Sequence, residues 1–202
     1  MKKVVFTVLM LVVTSFTLFA DSPLTSTHWW YVYENNPIIS EAYHIGYTDA
    51  VLNMICDEDQ PLDLRLATAN ALVIHAVEDH GWENENHYYH CINYYIQKNG
   101  LTLETVIDHL SPETSCVFAY LLAIDETMSD FDFENTAHIM ATQAQQKKPT
   151  SKGIAMIKAL IEAQYDDDYC AVTDVANNQT LENDIPENMV DQMTDYVSPF
   201  CD

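Results

Sequence analysis

The chain has 202 residues, with 31 acidic against 8 basic side chains and a net charge of −23. That charge argues against nucleic acid or an anionic membrane surface as a partner, because both are polyanions. An apolar content of 48% provides for a hydrophobic core and argues against a disordered chain.

Residues 1–20, "MKKVVFTVLMLVVTSFTLFA", carry Lys2 and Lys3, then an apolar run, then the small residue Ala20. This is the layout of a secretory signal peptide. Read instead as an anchor, the stretch is at the short end for a spanning helix and carries polar Thr and Ser. Export to the periplasm or the exterior is the expectation, with no stable membrane insertion once the leader is cleaved. Its removal leaves 6 basic and 31 acidic residues, a net charge of −25. Residues 21–36, "DSPLTSTHWWYVYENN", read as an extended, aromatic-rich lead-in that packs on the rest of the chain or meets a partner.

From 37 to 202 one helical domain is expected. Apolar spacing is helical throughout, there are only four glycines, and no alternating strand pattern or Asn-Gly hairpin occurs. Proline, whose missing N–H suits a first helical turn, opens four predicted helices over 37–56, 61–79, 112–128 and 149–164. Ser111 is placed to cap the third. Gly81 and Gly100 fall where helices end. Further helices are predicted over 83–98, 102–110 and 134–147, the last with Lys147 and Lys148 at its negative C-terminal end. After about 165 the chain turns acidic and less regular, with room for a last short helix from Pro186. The fold class is therefore all-α: roughly seven or eight helices as consecutive antiparallel hairpins, with a solenoid as one form of that arrangement.

Five cysteines, in a chain bound for an oxidising compartment, permit disulfides and leave an odd thiol. Cys170 and Cys201 lie outside the main predicted helices and are expected to pair. Cys91 and Cys116 sit on apolar helix faces, as buried thiols do. Asn178, Gln179 and Thr180 match a glycosylation triplet, a pattern short enough to arise by chance.

The stretch "HAVEDHGWENENHYYHCINYY" (75–95) holds four of the eight histidines. On a helix from Glu83, with 100° per residue, His87 falls near 40° and His90 near −20°, whereas Tyr88, Cys91, Ile92, Tyr95 and Ile96 occupy roughly 80–220°. Glu83, His87 and His90 thus form a stripe opposite the apolar face. Carboxylate and neutral imidazole at this spacing can converge on one Zn²⁺, held weakly because the stripe is exposed and lacks a second shell. The plainer reading is a solvated face, and no cofactor is otherwise implied. His75 is expected to be satisfied within its own helix, with Asp79 one turn on. A calcium loop over 125–134 is excluded by its missing glycine. No G-x-S-x-G, H-E-x-x-H, C-x-x-C or phosphate-binding glycine loop occurs.

Residues 118–149 resemble one tetratricopeptide-type helical hairpin. Leu121 and Ile124 match its first helix, Ala137 and Ala144 its small-residue second helix, and Pro149 its close. Asp125 and Ala141 depart from the family pattern, which has a small residue and an aromatic at those places. The resemblance implies a hairpin array that binds proteins rather than catalyses. Together these features suggest an exported, non-enzymatic binding or scaffold protein. Two alternatives stand beside it: an acidic inhibitor or immunity-type protein that neutralises a basic toxin or enzyme in the cell envelope, and a metal-dependent hydrolase using Glu83, His87 and His90. The expected partner is a protein, basic if charge decides.

Overall fold

A computed structural model describes residues 22–80, 86–128, 136–166 and 168–201. The described residues are all-α, with ten α-helices and two short 3₁₀ turns. The helices are α1 (Pro37–Ile45), α2 (Asp49–Cys56), α3 (Leu62–His80), α4 (His87–Asn99), α5 (Val106–His109), α6 (Pro112–Met128), α7 (Thr136–Lys147), α8 (Lys152–Asp166), α9 (Tyr169–Ala176) and α10 (Glu187–Asp195). The 3₁₀ turns are Trp29–Tyr33 in the lead-in and Ser198–Phe200 at the end. Residues 1–20, where a signal peptide is expected, and Gly81 lie outside the described residues. Among those described, no helix is long and apolar enough to cross a membrane.

The helix starts follow local chemistry. Asn36 accepts from the amides of Ile38 and Ile39, and Pro37 occupies the first turn of α1. Ser111 accepts from the Thr114 amide at 3.1 Å, capping α6 as its sequence position suggests. Gly100 closes α4 in the left-handed region, at φ 63°.

Five segments depart from the prediction. The helix expected over 37–56 is two helices, because Gly46 sits at φ 85° and breaks the run; Thr48 then starts α2 by capping the Val51 amide at 3.2 Å. The helix expected over 83–98 begins at His87. Only Val106–His109 of the stretch 102–110 is helical. The helix expected from Pro149 begins at Lys152, because Ser151 accepts from the Ile154 amide and the Asp184 carboxylate accepts from that of Gly153. Beyond 165 there are two helices, α9 and α10, where the sequence suggests irregular chain and one short helix. The break at Gly46 and the added helix α9 account for ten helices instead of seven or eight.

Helices α3 and α6 form the centre. From Leu66 to Ile74 and from Cys116 to Ile124 every side chain is buried. A helix apolar on all sides must be enclosed, and here α1, α2 and the Trp29–Tyr33 turn pack on α3, while α4, α7 and α8 pack on α6. Sequential helices touch at α6–α7, α7–α8 and α8–α9, and further contacts skip a helix. The lead-in is part of this core. Trp29 is fully buried against Tyr120, with ring centroids 5.2 Å apart, and Trp30 stacks on Tyr43 at 4.3 Å. Asn70 of α3 anchors the turn by accepting from the Trp30 amide and donating to the Thr27 carbonyl and the Tyr120 hydroxyl.

Candidate functional site

The histidine stretch lies where α4 meets the α1–α2 connection. All four opening amides of α4 have acceptors. The Asp125 carboxylate, reaching from α6, accepts from His87 at 3.0 Å and Tyr88 at 2.8 Å. The Asn86 side chain accepts from Tyr89, and its carbonyl accepts from His90. A carboxylate opposite a helix N-terminus is favoured by the helix dipole as well as by the hydrogen bonds. Asp125 is one of the departures from the tetratricopeptide pattern, and this contact across the chain gives a carboxylate there a structural use. The other departure, Ala141, is fully buried together with Ala137 and Ala144.

His87 is buried, not part of a solvated face. The correction has a geometric cause. At 40° it borders the apolar arc of the helix, and the α1–α2 connection covers that border. The Tyr47 hydroxyl and His87 Nδ1 share a 2.6 Å hydrogen bond. Burial, with His90 close by, pushes the His87 imidazole down to about 4, so it is neutral at ordinary pH. His90 is exposed, its ring 4.6 Å from that of Tyr47. His75, from α3, is buried with Nδ1 2.7 Å from the Tyr43 carbonyl oxygen. The structure therefore gathers Tyr47, His87 and His90 at one junction, with His75 held nearby beneath Gly46. Glu83, the third member of the expected zinc stripe, lies outside the described residues. Among those described, no group of three or more His, Cys, Asp and Glu side chains is placed to hold a metal ion.

A second constellation is centred on Arg65, the chain's only arginine. Its side chain is fully buried. Nε donates to the Ile55 carbonyl at the end of α2 at 2.9 Å, and one terminal nitrogen donates to Thr114 Oγ1 at 2.8 Å. Thr114 and Tyr95 each donate to Glu58 Oε1 at 2.9 Å, and the Ser111 amide donates to the same oxygen. Burial raises the Glu58 carboxyl, but the hydrogen bonds from Thr114, Tyr95 and Ser111 outweigh it and hold the group below its ordinary value. For Tyr95, burial and the bond to Glu58 push the phenol up to about 12. Sequence reasoning missed this network. The available signal was a single arginine inside the otherwise helical run "LDLRLATANALVIHA".

The C-terminal end forms a third. Cys170 and Cys201, expected to pair, stand at disulfide distance, with Cα atoms 5.1 Å apart. Around them the rings of Tyr169, Tyr196 and Phe200 lie 5.1–6.3 Å from one another. Phe200 is 58% exposed and Tyr165 40%. Asp166, Asp168, Asp174, Asp191 and Asp195, all exposed, belong to the same three elements α8, α9 and α10 or their junctions. Asn178 is exposed as well, its side-chain oxygen turned onto Thr180.

Comparison with family models, with curated proteins and with solved structures finds no match.

Proposed function

We propose that the chain is an exported helical binding protein whose partner is a basic protein. One observation carries this: among the described residues, most cations are engaged with groups of the chain itself, Lys147 being exposed, while many acids face outward. Arg65 is buried. Lys148 pairs with Glu113 at 2.7 Å, and Lys158 with Glu162 at 2.6 Å. Lys98 donates to Asn53 and lies 3.8 Å from Asp57. Lys152 donates to the Ala176 carbonyl. Glu34, Asp49, Asp59, Glu104, Asp108, Glu182 and Glu187 are exposed, as are the aspartates of the C-terminal end. Such a surface repels polyanions and speeds encounter with a cationic protein. The exposed Phe200 and Tyr165, on the C-terminal elements that also carry exposed aspartates, supply what a lysine or arginine side chain takes: a ring face and a carboxylate. The likeness of 118–149 to protein-binding hairpin repeats supports the same reading.

The same charge favours an inhibitor of a basic toxin or enzyme as the specific form of binding, since fast capture is what such a protein needs. The test is capture of exported proteins by the immobilised chain at low and at high salt, with the bound proteins identified. Basic proteins should dominate at low salt and elute as salt rises. Retention that is indifferent to charge and salt would overturn the reading. Assay of each captured enzyme with and without the chain then separates an inhibitor from a scaffold.

A further inference from the structure

We propose that Cys56 and Cys91 are the site of a second disulfide, which in the oxidised protein joins the end of α2 to α4. Both side chains are buried, and they adjoin each other. Cys56 Sγ lies 3.3 Å from the Cys91 carbonyl oxygen, where α2 packs on α4, and both are free thiols in the structure. A cysteine sulfur held against the backbone of the other cysteine, on two packed elements, brings the pair near the separation that a bridge requires. The odd cysteine is then Cys116, on α6 and fully buried.

The oxidant is a disulfide, either a thiol–disulfide oxidoreductase or oxidised glutathione. One cysteine thiolate attacks it, breaking its S–S bond and forming a mixed disulfide while one thiol departs. The second cysteine thiolate attacks the protein sulfur of that mixed disulfide. The Cys56–Cys91 bond forms and the second thiol departs. Two protein S–H bonds are lost, and their two electrons and two protons end on the two thiols released. Contact with Cys56, together with burial, raises the Cys91 thiol well above its ordinary value. The thiolate is therefore scarce in the folded state, and closure belongs to the folding chain, before the junction is covered. Once formed, the bond holds the turn whose Ile55 carbonyl accepts from Arg65, so the covalent link and the arginine network secure the same junction of α2, α3 and α4.

To test this, the full chain is reduced in denaturant and refolded in a mixture of reduced and oxidised glutathione. It is then unfolded without reductant, alkylated and digested. Peptides linked through Cys56–Cys91 and through Cys170–Cys201 are expected, with Cys116 as the labelled cysteine and label on Cys56 and Cys91 under about a tenth of that on Cys116. Equal label on Cys56, Cys91 and Cys116 beside an intact Cys170–Cys201 link would overturn the proposal, as would linkage of either cysteine to Cys116. A Cys116→Ala chain, which cannot mispair in that way, should give the same Cys56–Cys91 peptide; its absence there would be equally decisive.

Discussion

A protonated His87 would place a positive charge in a buried site, and this gives the residue a measurable signature. Its imidazole, ordinarily near 6.5, is pushed down to about 4 by burial and by His90. The unfolded chain therefore takes up this proton at higher pH than the folded one. Above about 6.5 neither state holds it and His87 costs nothing. As pH falls from about 6.5 to about 4, protonation favours the unfolded chain, and the loss reaches about 3 kcal/mol. Below that range both states are charged and the loss stops growing. Glu58 and Glu113 act later. Each is raised by burial but held lower overall by hydrogen bonds, Glu113 chiefly by the one from Lys148, so the stability they contribute is lost as they protonate below the ordinary carboxylate range. Stability of the native chain should thus decline between pH 6.5 and 4.5, before the carboxylates contribute. His87→Gln, which keeps a polar group for Tyr47 but cannot take a proton, should flatten that part of the profile in denaturant titrations at several pH values. An unchanged slope would mean that another group causes the decline. None of this was legible in the sequence. A helical wheel places His87 correctly within α4 but knows nothing of the connection that covers it, and the roles of Asp125 and Arg65 depend equally on contacts far along the chain.

At the scale of elements, the local signals succeeded where one residue settles the matter. Pro37, Ser111–Pro112 and Gly100 each mark a real boundary, because a first-turn proline, a cap or a left-handed turn is chemistry within a few residues. The signals failed where tertiary contacts set the boundary. Pro149 looks like a helix start, yet α8 begins later, where Ser151 and Asp184 supply the acceptors. Helix α9 hides in acidic sequence because its burial needs the rest of the molecule, whereas α10 starts where Pro186 marks a last short helix; Met189, Val190 and Met193 are covered, and α10 packs on the Trp29–Tyr33 turn from the other end of the chain. Gly46 shows the opposite weakness, a glycine read as part of one long helix that in fact divides it. Its φ of 85° with ψ of −133° is a conformation close to glycine-only. A Cβ there would also lie 3.1 Å from two atoms of the His75 ring. Gly46→Ala should therefore destabilise the fold by about 2 kcal/mol, despite alanine's better helix propensity. Chemical denaturation measures it. An equal or more stable variant would show that α1 and α2 can run on as one helix.

The whole molecule carries a charge of −23, and its consequences can be separated from those of its individual ion pairs. Repulsion among like charges on one compact body disfavours folding, because unfolding moves the charges apart. Screening relieves that repulsion. The Debye length falls from about 30 Å at 0.01 M salt to about 8 Å at 0.15 M. The ion pairs respond in the opposite sense. Lys148–Glu113 and Lys158–Glu162 are partly exposed, and screening weakens such pairs, each of which contributes about 0–1 kcal/mol. With few cations available and acids exposed on most elements, repulsion is the larger effect. Adding sodium chloride from about 0.01 to 0.15 M should therefore raise the melting temperature, by about 2–5 °C for a domain of this size. The same addition should slow association with a basic partner, because that attraction is screened by the same ions. Stability and binding would then move in opposite directions with one variable, as expected when a surface is kept acidic for a partner at some expense to its own fold. A melting temperature that falls with salt would show that the internal pairs outweigh the repulsion, and the outward-facing acids would lose their claim to be an uncompensated binding surface.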